Sequence, residues 1–417
     1  MGFLGFLAFP ISFFVIDALW WRAADRRLQG LIHARLWRAL LGVFMTTMML
    51  YVLVILVGPR SFRGSQGPEP QVVHIIAYLW HFMGLPLGVA MMIVPALRGA
   101  ARAAVTRMSD RTDPPVIDDA RADRSRRAAM PSRRQIMAAG AIAIPPLAVC
   151  AASLGVTKTL YGRRLRSFDL CIPLLPPQLE GMRIAHVSDT HIGKFLHPSR
   201  LPAIADDINR LDADFVVFTG DLIDFSLEDL PAGINFLRSL KSRCGLAICE
   251  GNHDLMDDRG DFENQLRDQD LPLIIGGQLT LPYVSPSGQS FPVQFLGTPW
   301  NFTDEFMNDA VDVVAPLIQP DAFPILLAHH PHHFDAASLA SIPLVLSGHT
   351  HGGQIMLNDH FGAGSLRFRY ISGLYQRNAS SLIVNNGIGN WFPLRVNAPA
   401  EIVHITLHGL GRPQLLK

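Results

Sequence analysis

Five short stretches of this 417-residue chain carry side chains suited to metal chemistry: Asp189-Thr190-His191, Gly220-Asp221, Gly251-Asn252-His253-Asp254, His329-His330-Pro331 and Gly348-His349-Thr350-His351. Asp189 and His191 sit two apart, so both can lean toward one point beyond a strand end. Asp221 supplies a carboxylate able to bridge two cations, Asn252 a neutral carbonyl oxygen, and His329, His349 and His351 imidazoles. Imidazole suits Zn, Fe or Ni, and carboxylate suits Mn as well. Two carboxylates, four imidazoles and one amide exceed what a single ion would use. Two ions sharing Asp221 would use them all. With 16 histidines in the chain, any one could be an ordinary core or surface residue; the combination in this order is not explained that way.

Each cluster closes a short apolar run, at residues 183–188, 214–219, 246–250, 325–328 and 344–347. Runs of this length with polar loops at their carboxyl ends predict the strands of an α/β sheet enzyme. Segments 201–211 and 230–240 have helical periodicity and are expected to cover the sheet.

Taken together, the five motifs resemble those of the calcineurin-like metallophosphoesterases, in that family's order, and the resemblance runs on through residues 371–375 and 386–401 to about 408. More narrowly, the chain is similar to the membrane-attached or exported bacterial branch. The resemblance implies a four-layer α/β/β/α sandwich over residues 181–410. It also implies a division of ligands: Asp189, His191 and His351 for one metal, Asn252, His329 and His349 for the other, Asp221 for both. The cofactors would be two divalent or trivalent ions, among Mn, Fe and Zn. Such a pair lowers the pKa of a bridging water, and the resulting hydroxide attacks phosphorus in line. His253 is expected to protonate the leaving oxygen, with Asp254 orienting it through the other ring nitrogen. No Ser or Cys nucleophile is needed, and Cys244 and Cys249 read as small buried hydrophobes.

Other residues keep two readings open. Arg395 could meet a phosphate or form a surface or structural ion pair. Phe195, Trp300 and Phe302 could line an apolar acceptor groove or pack loops. His186 and His197 read as local, and His332 and His333 as surface loop residues beside the ligand His329. A membrane scaffold or sensor that binds a phosphorylated ligand without turnover is the alternative from another class. A site that had lost turnover would be expected to lack a ligand or His253, and none is missing. A diphosphate hydrolase of the UDP-2,3-diacylglucosamine type is a further alternative.

The first half of the chain reads differently. Lys and Arg number 36 against 35 Asp and Glu, a net charge of +1, which excludes a strongly electrostatic nucleic-acid binder. Only 17% of residues are charged while 49% are hydrophobic, and mean hydropathy is +0.23. Disorder and a plain cytosolic enzyme are therefore disfavoured, and four cysteines do not make a disulfide scaffold. Nearly uncharged runs at 3–21, 39–59, 70–97 and 135–157 are each long enough to cross a bilayer as a helix. The expected organisation is three transmembrane helices within 1–97, a basic cytoplasmic linker at 98–135, and a fourth span at 136–160. Arginines crowd the first and third loops, which places those inside and the catalytic domain on the outer face of a bacterial inner membrane. Ser132-Arg133-Arg134-Gln135-Ile136-Met137 resembles a twin-arginine export signal, though Ile136 stands where Phe is usual and the motif is internal. The expected partners are membrane lipid and an envelope or lipid-linked phosphoester.

Overall fold

The computed structural model describes residues 3–29, 33–57, 71–109, 133–159, 162–300, 304–358 and 360–410. The chain divides into two compact units, one formed by most of residues 1–155 and the other by most of the remainder.

The first unit is helical: α1 (Phe3–Leu28), α2 (Ala34–Val57), α3 (Gln71–Leu79) running through a π-helical turn at Trp80–Gly84 into α4 (Leu85–Ser109), and α5 (Arg133–Thr159). Val15, Leu19, Leu40 and Val43 point outward and are exposed, the reverse of a soluble bundle. Two helical stretches, Ala34–Val54 and Val73–Ala101, are long and apolar enough to cross a membrane. The other two expected spans also fall within helices, although the apolar part of α5 is the shorter Ile142–Ser153, with Pro145 and Pro146 inside it. Residues 110–132 of the expected linker, with Ser132 of the twin-arginine motif, lie outside the described residues. Asp17 is fully buried, accepting hydrogen bonds from Trp80 Nε1 at 2.8 Å and meeting His81 Nε2 at 2.9 Å. An acid placed on an apolar helix thus finds partners on the neighbouring helix.

The second unit begins earlier than residue 181. Strand β1 (Arg163–Cys171) is the edge of a five-stranded sheet whose other members are β2 (Arg183–Val187), β3 (Phe215–Thr219), β4 (Gly245–Cys249) and β13 (Ala400–His408), ordered β1-β13-β2-β3-β4. β2, β3 and β4 are parallel; β13 runs antiparallel to β2 and parallel to β1. A second sheet of six strands has the order β11-β12-β8-β7-β6-β5. Its members are β5 (Gly277–Val284), β6 (Ser290–Gly297), β7 (Phe323–Leu327), β8 (Leu344–Ser347), β11 (Gly373–Arg377) and β12 (Ser380–Val384), parallel in the middle with antiparallel edges. A small hairpin, β9 (Met356–Asn358) and β10 (Phe361–Gly362), follows His351.

The two sheets stack on a shared core. Phe168, Ile184, Phe215 and Val217 of the first meet Phe295, Ile325, Leu327 and Leu346 of the second. The outer face of the first sheet is covered by α6 (Leu201–Asn209), α7 (Leu230–Ser239) and α8 (Arg259–Asp268), through Ile204, Leu237 and Phe262. That of the second is covered by α9 (Asp304–Val314) and α10 (Phe334–Leu339), through Val311 and Phe334. This is the four-layer α/β/β/α sandwich. The central strands are buried on both faces, which is why β3 reads Phe-Val-Val-Phe-Thr with no polar alternation.

Candidate metal centre

All seven expected ligands sit just past the carboxyl ends of strands. Asp189 and His191 follow β2, Asp221 follows β3, Asn252 follows β4, His329 follows β7, and His349 and His351 follow β8. Because those strands are parallel within each sheet, their exits open on one edge of the sandwich. Five of the seven, Asp189, His191, Asp221, His349 and His351, have positive φ between 43° and 70°. Each left-handed non-glycine residue costs about 1–3 kcal/mol, and such strain gathers at functional sites. The chain turns sharply off each strand and so aims the side chain back over the sheet edge. Gly348 is needed for a different reason: a Cβ there would stand 2.1 Å from Asp189 Oδ2.

The side chains form two donor sets that share one carboxylate. In the first, Asp189 Oδ1 lies 3.1 Å from His351 Nε2, the Nε2 atoms of His191 and His351 are 2.9 Å apart, and His191 Nε2 is 3.4 Å from Asp221 Oδ2. In the second, the same Asp221 Oδ2 is 3.2 Å from His329 Nε2, and His349 Nδ1 is 3.3 Å from His329 Nε2 and 2.9 Å from Asn252 Oδ1. Asp221 Oδ1 is tied down by the His253 backbone N–H at 2.8 Å, which leaves Oδ2 to face both sets. His329 donates from Nδ1 to the Thr219 carbonyl at 2.6 Å, which fixes the tautomer with a lone pair on Nε2. Two buried imidazole nitrogens facing each other at hydrogen-bond distance, with carboxylate oxygens between the sets, are donors that cations satisfy. The residues fit a two-metal centre.

The electrostatics agree. Burial would raise the Asp189 carboxyl, yet the charge of His351 and hydrogen bonds from His191 and His351 hold it well below its usual range. Against burial, hydrogen bonds to Asp189 and Asp224 and the charge of Asp221 raise His191 to about 10. Burial likewise opposes His329, but the Asp221 charge lifts it to about 9. Burial and the neighbouring His329 charge push His349 down to about 3. Each donor set thus draws positive charge toward its carboxylates.

Asp254 does not orient His253. Its Oδ1 accepts from the backbone N–H groups of Leu222 (2.7 Å) and Ile223 (3.1 Å), and its Oδ2 from those of Asp221 and Gly251, both 2.9 Å. With four donors around it, the carboxylate has no capacity left for an imidazole. It instead sutures the loop after β3 to the loop after β4. His253 Nδ1 donates to the Asp224 carbonyl at 2.6 Å and lies 3.5 Å from the Asp224 carboxylate, so the orienting residue is Asp224. That carboxylate is also 3.5 Å from His191 Nδ1. Its one trace in the sequence is a second Asp three positions after Asp221. His253 is partly exposed, with its ring 4.5 Å from that of His191, and Nε2 is the nitrogen left to exchange a proton.

Other expectations shift as well. Arg395 neither reaches the surface nor forms an ion pair in direct contact: it is buried, donates to Gly389 O (2.6 Å), Asn386 O (2.8 Å) and Ala398 O (2.9 Å), and sets Nη2 2.9 Å from His351 Nδ1. Burial lowers it to about 10. It clamps the 386–398 loop against His351, one of the expected ligands. That loop places Trp391 with its ring 6.5 Å from His253. His333 is buried, not a surface residue, because its Nδ1 bonds the His330 carbonyl at 2.8 Å. Phe195 belongs to the packed interior, and buried Trp300 has its ring 5.0–5.8 Å from those of His329, His330 and His349. Phe302 lies outside the described residues.

A four-layer sandwich with His/Asp groups at its strand exits that could hold metal is the architecture of a metallophosphoesterase. Residues 182–353 match the calcineurin-like phosphoesterase family. The chain is 30% identical over 251 residues to the uncharacterised metallophosphoesterase YkuE of Bacillus subtilis, covering 56% of this chain and 82% of that one. It is 30% identical over 257 residues to an uncharacterised metallophosphoesterase of Campylobacter jejuni (61% and 66%) and 27% identical over 290 residues to the UDP-2,3-diacylglucosamine pyrophosphatase LpxG of Chlamydia muridarum (57% and 87%). The chain belongs to the calcineurin-like metallophosphoesterases. It spans about two thirds or less of the length of the first curated relatives it matches.

Proposed function

We propose that this protein is a membrane-anchored, two-metal phosphohydrolase. The observation that carries the reading is Asp221 Oδ2 facing His191 on one side and His329 on the other, which makes one carboxylate the link between two complete donor sets. Asp189, His191 and His351 would hold one cation, Asn252, His329 and His349 the second, and Asp221 both. Two such cations activate water near neutral pH and offset phosphoryl charge. The chain's own residues do the rest. His253, held through Nδ1 by Asp224, presents Nε2 to protonate the leaving oxygen, and Asp254 keeps the Asp221 and Asn252 loops in register.

The anchor supports an envelope or lipid-linked phosphoester as substrate. The arginine-rich loops support an outer-face catalytic domain on a bacterial inner membrane. A second reading, hydrolysis of a lipid-linked diphosphate, is favoured by the Chlamydia relative's name. The test is turnover by the full chain in detergent, with aryl phosphomonoester, aryl phosphodiester and lipid diphosphate, each with Mn and after chelation. Chelator-sensitive hydrolysis of at least one is expected. A metal-loaded, folded protein that turns over none of them would favour the binding-only alternative.

A further inference from the structure

Between α1 and α2 lies an open cleft of about 630 Å³, lined among others by Trp21, Arg22, Asp25, Arg35, Arg38 and Met49. That volume is within the range of small-ligand sites, about 300–1,000 Å³. Arg38 grips the Asp25 carboxylate with two nitrogens, at 2.7 and 3.0 Å, so that pair is neutral. Arg22 and Arg35 add two positive charges, and Asp25 is the one acid among the described residues that line the cleft. Arg35 also stands in the first turn of α2, one turn before Arg38. Farther along both helices the exposed side chains become apolar: Ile16 and Leu19 on α1, Leu40 and Val43 on α2. Trp37 is exposed near the same boundary, as amphipathic rings are at a membrane interface.

We propose that this cleft binds the phosphate of an anionic phospholipid, with Arg22 and Arg35 on the phosphate and the acyl chains along the apolar faces of α1 and α2. Charge complementarity selects the occupant: guanidinium forks match phosphate oxygens, and the belt next to them matches hydrocarbon. Flanking arginines that only set topology need no concavity; these two line one. The inference rests on the membrane-anchored reading.

The test is native mass spectrometry of the full chain in neutral detergent, titrated separately with dioleoylphosphatidylglycerol, dioleoylphosphatidylcholine and inorganic phosphate. Two interfacial arginines predict about a 30-fold preference for phosphatidylglycerol over phosphatidylcholine, with no phosphate adduct. The R22Q/R35Q protein should lose that preference, while Arg26→Gln, off the cleft, should keep it. If the double variant does not fold, R35Q alone decides, with an expected loss of about fivefold. Equal retention of the two lipids, a preference that survives R22Q/R35Q, or equally tight binding of inorganic phosphate overturns the proposal. Carbonate extraction of membranes tests the anchoring separately. A chain released to the supernatant overturns the anchor, whereas a retained chain with no lipid preference overturns only the cleft.

Discussion

Replacing Asp254 with Asn separates a suture from a catalytic dyad. The carboxylate receives four backbone N–H groups, two on each oxygen. An Asn side chain keeps one acceptor oxygen and turns an NH2 toward the other two donors, whichever way it flips. Two buried N–H groups are then orphaned, at about 1–3 kcal/mol each. The total, about 4 kcal/mol, is a large part of a usual stability of about 5–15 kcal/mol. In a domain of this size that lowers the melting midpoint by about 10 °C. The orphaned groups belong either to Leu222 and Ile223 or to Asp221 and Gly251, so the loops carrying Asp221 and Asn252 loosen and metal affinity falls too. The assay is thermal unfolding of the full chain in detergent, alongside Mn titration. A D254N protein that melts within about 2 °C of wild type and binds Mn normally, but turns over slowly, would refute the suture and restore Asp254 as the partner of His253.

Further outcomes follow from the same contacts. His253→Ala should keep its metal content and lose about 10²–10⁴-fold in kcat, the usual scale for a general acid; kinetics with paired metal analysis checks this. Arg395→Met should lower the melting midpoint, because it strips the hydrogen bonds from the buried carbonyls of Asn386, Gly389 and Ala398 at about 1–3 kcal/mol each; thermal unfolding in detergent reads it, and Arg395→Lys should recover part. Burial holds His186 near 3 and His333 near 4 in the folded state, below an unfolded value of 6.5. The unfolded chain therefore binds more protons below pH 6.5, and these two histidines contribute stability above that pH that is lost as pH falls. At pH 5 the loss is about 2 kcal/mol each; melting of the chelated protein at pH 7.5 and 5 should show it, and an unchanged midpoint would contradict it.

Much of the site was legible because fully buried parallel strands are written plainly. β3 is five apolar or β-branched residues ended by Gly-Asp, and β8 is Leu-Val-Leu-Ser ended by Gly-His. What escaped depends on distant partners. β1 carries Arg163, Arg164 and Arg166 and does not look like a strand until Asp207 and Glu401 are seen to receive those charges. The β5–β6 hairpin contains Pro282 and Pro292, paired opposite each other at an edge, which breaks the usual strand pattern. The exchange of roles between Asp224 and Asp254 could not be read either. Both acids lie near His253 in the motif, and only the direction of the backbone N–H groups decides which one is already saturated. Nor does sequence reveal that five of the expected ligands occupy left-handed backbone.

The most direct test of the central claim is metal stoichiometry of the purified full chain, by elemental analysis, for wild type and for Asp221→Ala. Two shared donor sets predict two ions per wild-type chain, and loss or marked weakening of both when the bridging carboxylate is removed, with the chain still folded. A wild-type protein that saturates at one ion, or an Asp221→Ala protein that still holds two tightly, would contradict the binuclear centre.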